Sequence, residues 1–173
     1  GVRELATRMA GAPHSSWPDE LLLLGDQVYA DEPSDDIVER LRDAHPDRDS
    51  DIVDEIQNFE EYTWLYHEAW GDERIRWLLA SIPSAMIFDD HDVRDDWNTS
   101  GAWVEKVRRL PWWRERLIGA FMSYWVYQHL GNLSPQALAE EPLYQKVRAA
   151  DGDVAPMLRQ FAAEADREAD GHK

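Results

Sequence analysis

The stretch from Leu21 to Asp31, which reads LLLLGDQVYAD, constrains the fold of this chain more than any other. Four consecutive leucines predict a strand buried on both faces, and the glycine and aspartate that follow end it abruptly. Asp26, Tyr29 and Asp31 then place three oxygen-bearing side chains at the carboxyl end of one strand, where α/β proteins concentrate their chemistry. Such oxygen ligands suit a metal ion. A buried strand followed by a plain acidic turn is the alternative.

A second acidic cluster follows a second apolar run. Residues 84 to 88, SAMIF, predict a short strand, and Asp89-Asp90-His91-Asp92 comes directly after it. About fifty residues of helical pattern separate the two runs, enough for a crossover between parallel strands. Because such a crossover brings both carboxyl ends to one edge of the sheet, Asp26 and Asp90 are predicted to converge. Carboxylates this close raise one another's pKa unless a cation lies between them, which favours a metal site.

These segments resemble the alkaline phosphatase D (PhoD-like) family of metallophosphatases, within the wider calcineurin-like phosphoesterase group. The resemblance rests on GDQVYADE and on the run from Tyr62 through RWLLASIPSAMIFDDHDVRDDWN, and it covers roughly residues 1 to 130. It implies an α/β fold with a metallophosphoesterase-like sheet flanked by helices. The implied activity is that of a metal-dependent phosphoric ester hydrolase, acting as a phosphomonoesterase or a phosphodiesterase.

The resemblance also implies roles for individual residues. Asp26 matches the bridging metal ligand, and Tyr29 matches the phenolate ligand of a ferric ion. Asp90 stands where the wider group has the asparagine of its GNH motif, as a ligand of a second metal. His91 stands where that motif has the histidine that faces the phosphate, as a catalytic residue. Iron (Fe³⁺) with calcium (Ca²⁺) is the implied cation pair, and other divalent metals are alternatives. No individual role is implied for the acidic neighbours Asp89, Asp92, Asp95 and Asp96.

The net charge limits the classes of molecule that this chain is expected to bind. With 35 acidic and 18 basic side chains the net charge is −17, which argues against nucleic acid and against docking on an anionic membrane surface. A small phosphate ester is the expected partner, drawn in by metal charge. The chain has no cysteine, and it shows neither a run long enough to span a membrane nor a recognisable signal peptide. Members of the resembled family are often exported, but this sequence does not determine the localisation. It does not determine the oligomeric state either.

Helical patterns fill most of the remaining chain. Before the second apolar run, apolar spacing predicts helices over residues 2 to 10, from Ser34 to His45, from near Ser50 to Gly71, and over 72 to 82. From about residue 103 the chain is predicted to be helical, with a short basic helix to Leu110, a buried helix from Pro111 to about Leu130, a short helix after Ser134-Pro135 and a last helix from Asp153. His45 is expected to be a solvated loop residue.

One departure from the family pattern affects the whole interpretation. Members of the family carry further metal ligands before the GDxxY motif and a histidine-containing motif near the carboxyl end. Neither feature has a match in this sequence. His172 lies in a GHK tail that does not have the pattern of the C-terminal motif. Residues 1 to 173 are therefore expected to be an internal part of a PhoD-like metallophosphatase domain that holds metal weakly alone. Two other classes stay open: a non-catalytic acidic metal-binding module, and a helical interaction protein whose acidic clusters are solvated turns.

Overall fold

The computed structural model describes residues 1–48, 52–97 and 100–171, and its architecture is mixed α/β with helices in the majority. Strand β1 (Leu21–Leu24) pairs in parallel with strand β2 (Ser84–Ile87), so that Leu21 lies opposite Ser84 and Leu24 opposite Ile87. The predicted parallel pairing is confirmed. These two strands form the only sheet within the described ranges. Both carboxyl ends lie at the same edge, because parallel strands share their direction.

The two faces of β1 differ in exposure. Leu22 and Leu24 are 58% and 73% exposed, whereas Leu21 and Leu23 are only partly exposed. Ile87 of β2, opposite Leu24, is also 51% exposed. Successive side chains of a strand point to opposite faces, and one face of this small sheet is covered less than the other. The prediction of a strand buried on both faces is therefore wrong for the described chain.

In the described ranges, four α-helices precede or connect the strands. They are α1 (Val2–Ala10), ahead of β1, and the crossover helices α2 (Asp35–Ala44), α3 (Phe59–Gly71) and α4 (Glu73–Ser81). Ser34, Asn58 and Asp72 cap the crossover helices by accepting hydrogen bonds from first-turn backbone N–H groups. The predicted helix start near Ser50 lies outside the described residues. Residues 52–58 contain no α-helix, and the Asn58 cap places the beginning of α3 at Phe59.

The part of the chain after β2 is helical. A single turn of 3₁₀-helix, Asp90–Asp92, is followed by α5 (Gly101–Val107), α6 (Trp113–Tyr124), α7 (Leu130–Asn132), α8 (Pro135–Glu140), α9 (Pro142–Ala149) and α10 (Ala155–Gly171). A π-helical segment, Trp125–His129, joins α6 to α7. The continuous helix therefore begins two residues later than the predicted start at Pro111 and ends two residues beyond Leu130. Ser134 caps α8 with Pro135 in its first turn, as the sequence predicts.

Helix α6 is central to the hydrophobic core. It packs against both α3 and α10. Gly119 permits the approach of α3, because a Cβ at this position would come within 2.9 Å of the backbone of Asn58 and Phe59. A separate cluster between α1 and α4 contains Ala6, Met9, Leu78 and Ile82, with Leu21 of β1 packed against it. None of the helices in the described ranges is both long enough and apolar enough to cross a bilayer.

Candidate metal centre

The chain turns sharply as it leaves β1. Gly25 and Asp26 both have positive φ angles, 89° and 48°. A side chain at Gly25 would also collide with the Asp89 carboxylate, so this position requires glycine for two reasons. A non-glycine residue with positive φ, such as Asp26, is strained and recurs at functional sites. The turn brings residues 25–31, here called the β1 loop, against residues 88–96, here called the β2 loop.

Three predicted site residues converge where these loops meet. One ligand atom each from Asp26, Asp90 and His91 lies within 4.8 Å of the other two. Asp90 and His91 occupy the 3₁₀ turn at the end of β2, which Asp89 caps. Tyr29 packs its ring against the His91 ring, with centroids 4.6 Å apart, and is 44% exposed. The structure thus brings together all four residues that the sequence singled out.

Asp90 also belongs to a second acidic group. Asp90, Asp95 and Asp96 each offer a carboxylate oxygen within the same 4.8 Å limit, and the latter two residues are exposed. The Asp96 backbone N–H donates a hydrogen bond of 2.9 Å to Asp90 Oδ2, which fixes the orientation of that carboxylate. Asp96 also has a positive φ angle, 55°. The β2 loop therefore folds back on Asp90 and surrounds it with oxygen atoms.

Asp26 lacks the compensation that a desolvated carboxylate needs. Its Oδ1 atom is buried and has no hydrogen-bond partner among the described residues. Burial raises the pKa of Asp26, the charges of Asp89 and Asp90 raise it further, and His91 opposes the shift. In the described part of the chain, no lysine or arginine forms an ion pair with Asp26 or Asp90. A cation fits this donor set, because it would satisfy the orphaned oxygen and reverse the repulsion.

Asp31 orients His91. The Asp31 Oδ1 atom lies 3.1 Å from His91 Nδ1, and Oδ2 accepts a 2.7 Å hydrogen bond from the Asp95 backbone N–H. Although burial opposes the change, these bonds lower the pKa of Asp31. The hydrogen bond with Asp31 in turn raises the pKa of His91. The sequence indicated Asp31 only as an oxygen-bearing side chain at the end of β1. Its position five residues after Asp26, on the same loop, was the available signal.

Asp92 lies buried behind the site. It is 1% exposed, and its backbone carbonyl accepts a 2.8 Å hydrogen bond from the Tyr62 hydroxyl. Burial raises the pKa of Asp92 to about 7, even though backbone N–H groups of Asp89 and Val28 hydrogen-bond to its carboxylate. Nothing in the acidic run DDHDVRDD distinguishes this aspartate from its exposed neighbours. Its inward orientation is decided by the 3₁₀ turn.

Comparison with known proteins identifies the family. The family model for PhoD-like phosphatases matches residues 5–154 of the 173. The chain therefore belongs to the PhoD-like phosphatase family, and the resemblance seen in the two motifs is confirmed. At the level of the family it is a phosphatase, a hydrolase of small phosphate-bearing molecules, and its acidic clusters are compatible with metal binding. No curated protein and no solved structure matches the chain.

The structure bears differently on the two alternative classes, the helical interaction protein and the non-catalytic metal-binding module. A helical interaction protein required strands that do not pair, whereas β1 and β2 are paired along their full length. A non-catalytic metal-binding module would use the same convergent acidic residues as a phosphatase. Turnover is the property that separates that module from an enzyme.

Proposed function

We propose that this chain carries metal-binding and catalytic residues of a metal-dependent phosphoric ester hydrolase of the alkaline phosphatase D type. The observation that carries the proposal is the convergence of Asp26, Asp90 and His91 at the ends of two parallel strands. The buried Asp26 oxygen that has no partner within the described residues supports it further. Such a site is compensated by a cation, and a cation is also what a dianionic phosphate needs.

Three side chains would hold the cations. Asp26 would bridge or anchor them, Tyr29 would supply a phenolate ligand to Fe³⁺, and Asp90 would complete the shell of a second ion, for which Ca²⁺ is proposed and other divalent metals are alternatives. When bound, the cations would lower the pKa of water and neutralise phosphate charge. Burial and the nearby carboxylates raise the pKa of Tyr29, so its ionisation is expected to accompany metal binding.

His91 is proposed to act on the substrate. Asp31 holds Nδ1, and Nε2, which lies 3.8 Å from the exposed Asp95 carboxylate, is the ring nitrogen that would reach the phosphate ester. The hydrogen bond to Asp31 raises the pKa of His91, which favours the protonated ring relative to an unpaired histidine. The Nε2–H group would donate its proton to the leaving oxygen as a water oxygen bonds to phosphorus and the ester P–O bond breaks, or it would stabilise the charge that develops on the phosphate oxygens. Asp31 keeps the ring in this orientation throughout.

The substrate is proposed to be a small phosphate monoester or diester. The net charge of −17 repels extended polyanions, so attraction to a phosphate has to be local to the site. The residues at the strand ends contact a phosphate group and carry no selectivity for the rest of the molecule. Family membership supports phosphatase activity and is equally compatible with either ester.

We further propose that residues 1–173 are part of a larger PhoD-like metallophosphatase domain, and that β1 and β2 are two strands of its metallophosphoesterase-like sheet. The exposed leucines Leu22 and Leu24, with Ile87 beside them, support this. Apolar side chains of this size lose about 1.5–3 kcal/mol each by remaining in water, and a contiguous group on one sheet face normally has a covering partner.

Parallel assays of two proteins test the proposal. Metal content and hydrolysis of p-nitrophenyl phosphate and bis-p-nitrophenyl phosphate would be measured on this chain and on its full reading frame. We expect weak metal retention and slow turnover from the chain alone, because an incomplete ligand set loses affinity and preorganisation. Equal specific activity would contradict the partial domain. If both proteins bound metal and neither hydrolysed either ester, the result would support the alternative of a non-catalytic metal-binding module.

Two substitutions test the division of roles in the full reading frame. His91→Ala is expected to retain metal and iron colour yet slow turnover by about 10²- to 10⁴-fold, the range for a positioned acid or base. Tyr29→Phe keeps the ring and should remove the phenolate-to-iron absorption. His67→Ala, at an exposed histidine of α3, is the matched control and should change neither property. Release of metal by His91→Ala, or unchanged absorption in Tyr29→Phe, would contradict these assignments.

A further inference from the structure

We propose that Asp92 is a positioning residue, which sets the separation of the β1 and β2 loops by bonding to the backbone of both. This inference rests on the proposed function, because the two loops carry the proposed metal ligands. Asp92 itself lies behind the site and is 1% exposed. It therefore acts through the ligands on either side of it.

The two oxygens of the Asp92 carboxylate are divided between the loops. Oδ1 accepts a 3.3 Å hydrogen bond from the Val28 backbone N–H, and Oδ2 accepts a 3.0 Å hydrogen bond from the Asp89 backbone N–H. Val28 lies between Asp26 and Tyr29 in the β1 loop, and Asp89 directly precedes Asp90 in the β2 loop. One rigid carboxylate thus connects the backbone beside each set of proposed ligands.

The π-helical segment after α6 places a side chain against the Asp92 carboxylate. Gln128, which is 1% exposed, lies with Nε2 3.5 Å from Asp92 Oδ1 and 2.8 Å from the Tyr66 hydroxyl. A π-helix widens one turn of an α-helix and changes which side chains point inward, and such segments are frequent at functional sites. Here the widened turn places an amide behind the acidic site. The Tyr62 hydroxyl fixes the Asp92 carbonyl in addition, at 2.8 Å.

A stabilising role alone does not account for a carboxylate at this position. Within the described residues Asp92 has no ion pair with a lysine or arginine, and a desolvated carboxylate of this kind costs free energy. Its two acceptors do supply something that an apolar side chain cannot, namely simultaneous bonds to two N–H groups on different loops. The loops are also joined where the Ala30 N–H donates to the His91 carbonyl at 2.9 Å, so loss of the Asp92 bonds should loosen the loops without separating them.

The first test uses the full reading frame and measures hydrogen exchange in both loops and Mn²⁺ affinity in Asp92→Asn. The amide has the same size, but its NH₂ group faces one of the two backbone donors, so one bond is lost, and the other weakens because its acceptor is now a neutral amide oxygen. We expect the Val28 and Asp89 amides to exchange hydrogen at least about 10-fold faster, while core amides of α6 are unchanged. Mn²⁺ affinity, measured from the free-ion EPR signal, should fall by about 10- to 100-fold, the usual effect of losing an outer-shell partner.

Leu158→Ala is the control for general destabilisation. Leu158 is buried in α10, far along the chain from both loops, and its truncation lowers stability without touching the acidic site. This control should leave Mn²⁺ affinity within about 2-fold of wild type. The wild-type protein provides a measurement that does not depend on any variant folding: its Val28 and Asp89 amides should exchange at similar rates and more slowly than that of Gln27, in the same turn.

The outcomes separate this inference from the proposed function. Faster exchange at both amides together with weaker Mn²⁺ binding supports the positioning role. Rapid exchange of the two amides in the wild type, or unchanged Mn²⁺ affinity in Asp92→Asn when the loop amides have lost protection, overturns it. Failure of the wild type to bind Mn²⁺ while the two amides stay protected would overturn the metal site and, with it, the assignment of the Asp92 bonds to ligand positioning.

Discussion

Two neighbouring regions of this molecule contain desolvated carboxylates, and they differ in what surrounds them. Before and within α3, Glu55 and Glu61 are enclosed by basic side chains. Arg116 and Arg94 contact Glu55, and Arg48 and His45 contact Glu61. At the strand ends, Asp26 and Asp90 have other carboxylates and a single histidine as neighbours. Within the described residues, basic side chains compensate the carboxylates of the first region, whereas no lysine or arginine forms an ion pair with Asp26 or Asp90.

The hydrogen bonds of Glu61 extend this compensation in the first region. Its carboxylate also accepts bonds from the Gln57 backbone N–H at 2.7 Å and from the Asn58 side chain at 2.6 Å. Asp26, by contrast, has an oxygen for which the described residues provide no donor. Since burial of a charge is tolerated only when it is paired, the two regions predict opposite responses to substitution and to added cations.

The largest expected effect is that of Asp26→Asn in the full reading frame. Metal content and turnover should be lost together, with turnover falling by about 10³-fold or more, since several kcal/mol of charge stabilisation depend on bound metal. Stability after chelation should be equal to or above that of chelated wild type, because a repelled charge is removed and asparagine tolerates the left-handed conformation. Metal analysis and thermal unfolding with chelator measure both. A less stable chelated variant would show that Asp26 has a structural partner.

Glu61→Gln should behave in the opposite way. It leaves the buried Arg48 guanidinium without its carboxylate and is expected to cost about 3 kcal/mol of unfolding free energy, as for other broken buried pairs. Metal affinity of the folded protein should not change. Urea unfolding and Mn²⁺ titration provide the two measurements, with Glu60→Gln, at the exposed adjacent position, as the matched control. Loss of metal binding in Glu61→Gln alone would mean that the two regions are coupled.

Added metal should stabilise one region only. At a Mn²⁺ concentration 100-fold above the dissociation constant, wild type should gain about 2.7 kcal/mol by mass action. Glu61→Gln should gain the same amount of unfolding free energy, although it is less stable than wild type without metal. Asp26→Asn should gain almost none. Thermal unfolding across a Mn²⁺ series measures these differences. An equal gain in all three proteins would place the bound ion elsewhere.

Salt should produce the smallest effect. Raising KCl from 0.1 to 1 M shortens the Debye length from about 10 Å to about 3 Å and screens repulsion among the strand-end carboxylates. The chelated wild type should gain about 0.5 kcal/mol, or about 1–2 °C in midpoint. Chelated Asp26→Asn should gain less, because one of the repelling charges is absent. Differential scanning calorimetry in both salts compares the two, and an identical gain would assign the effect to the rest of the acidic surface.

Local signals in the sequence predicted many elements correctly. Caps such as Ser34 and Ser134, and the two apolar runs that pair in parallel, are determined by a few neighbouring residues. The start of α3 was predicted several residues too early, because Ile52 and Ile56 are spaced like an α-helix but are buried in a segment that contains no α-helix. Both side chains meet the core from that segment, so apolar spacing alone could not distinguish the two arrangements.

The site was predictable to a similar extent. The GDQVY and DDHD segments indicated Asp26, Tyr29, Asp90 and His91, and the structure brings these residues together. The pairing of Asp31 with His91 was not predicted, nor was the contact that makes His45 a partner of Glu61 at 3.0 Å. Each of these contacts joins residues from separate segments. Periodicity and short motifs describe neighbours in the chain and contain no information about such pairs.

The sequence by itself therefore determined the family, the order of helices and strands, and the residue types available for chemistry. It did so because caps, apolar periods and motif spacing are local properties of the chain. Only the tertiary structure decided which aspartates point inward and which loop contacts which. The 3₁₀ turn Asp90–Asp92 directs the Asp92 side chain inward, and the left-handed turn at Gly25 and Asp26 brings the β1 loop against it. Burial then separates Asp92, at 1% exposure, from Asp95 and Asp96 in solvent, because desolvation depends on packing from distant segments.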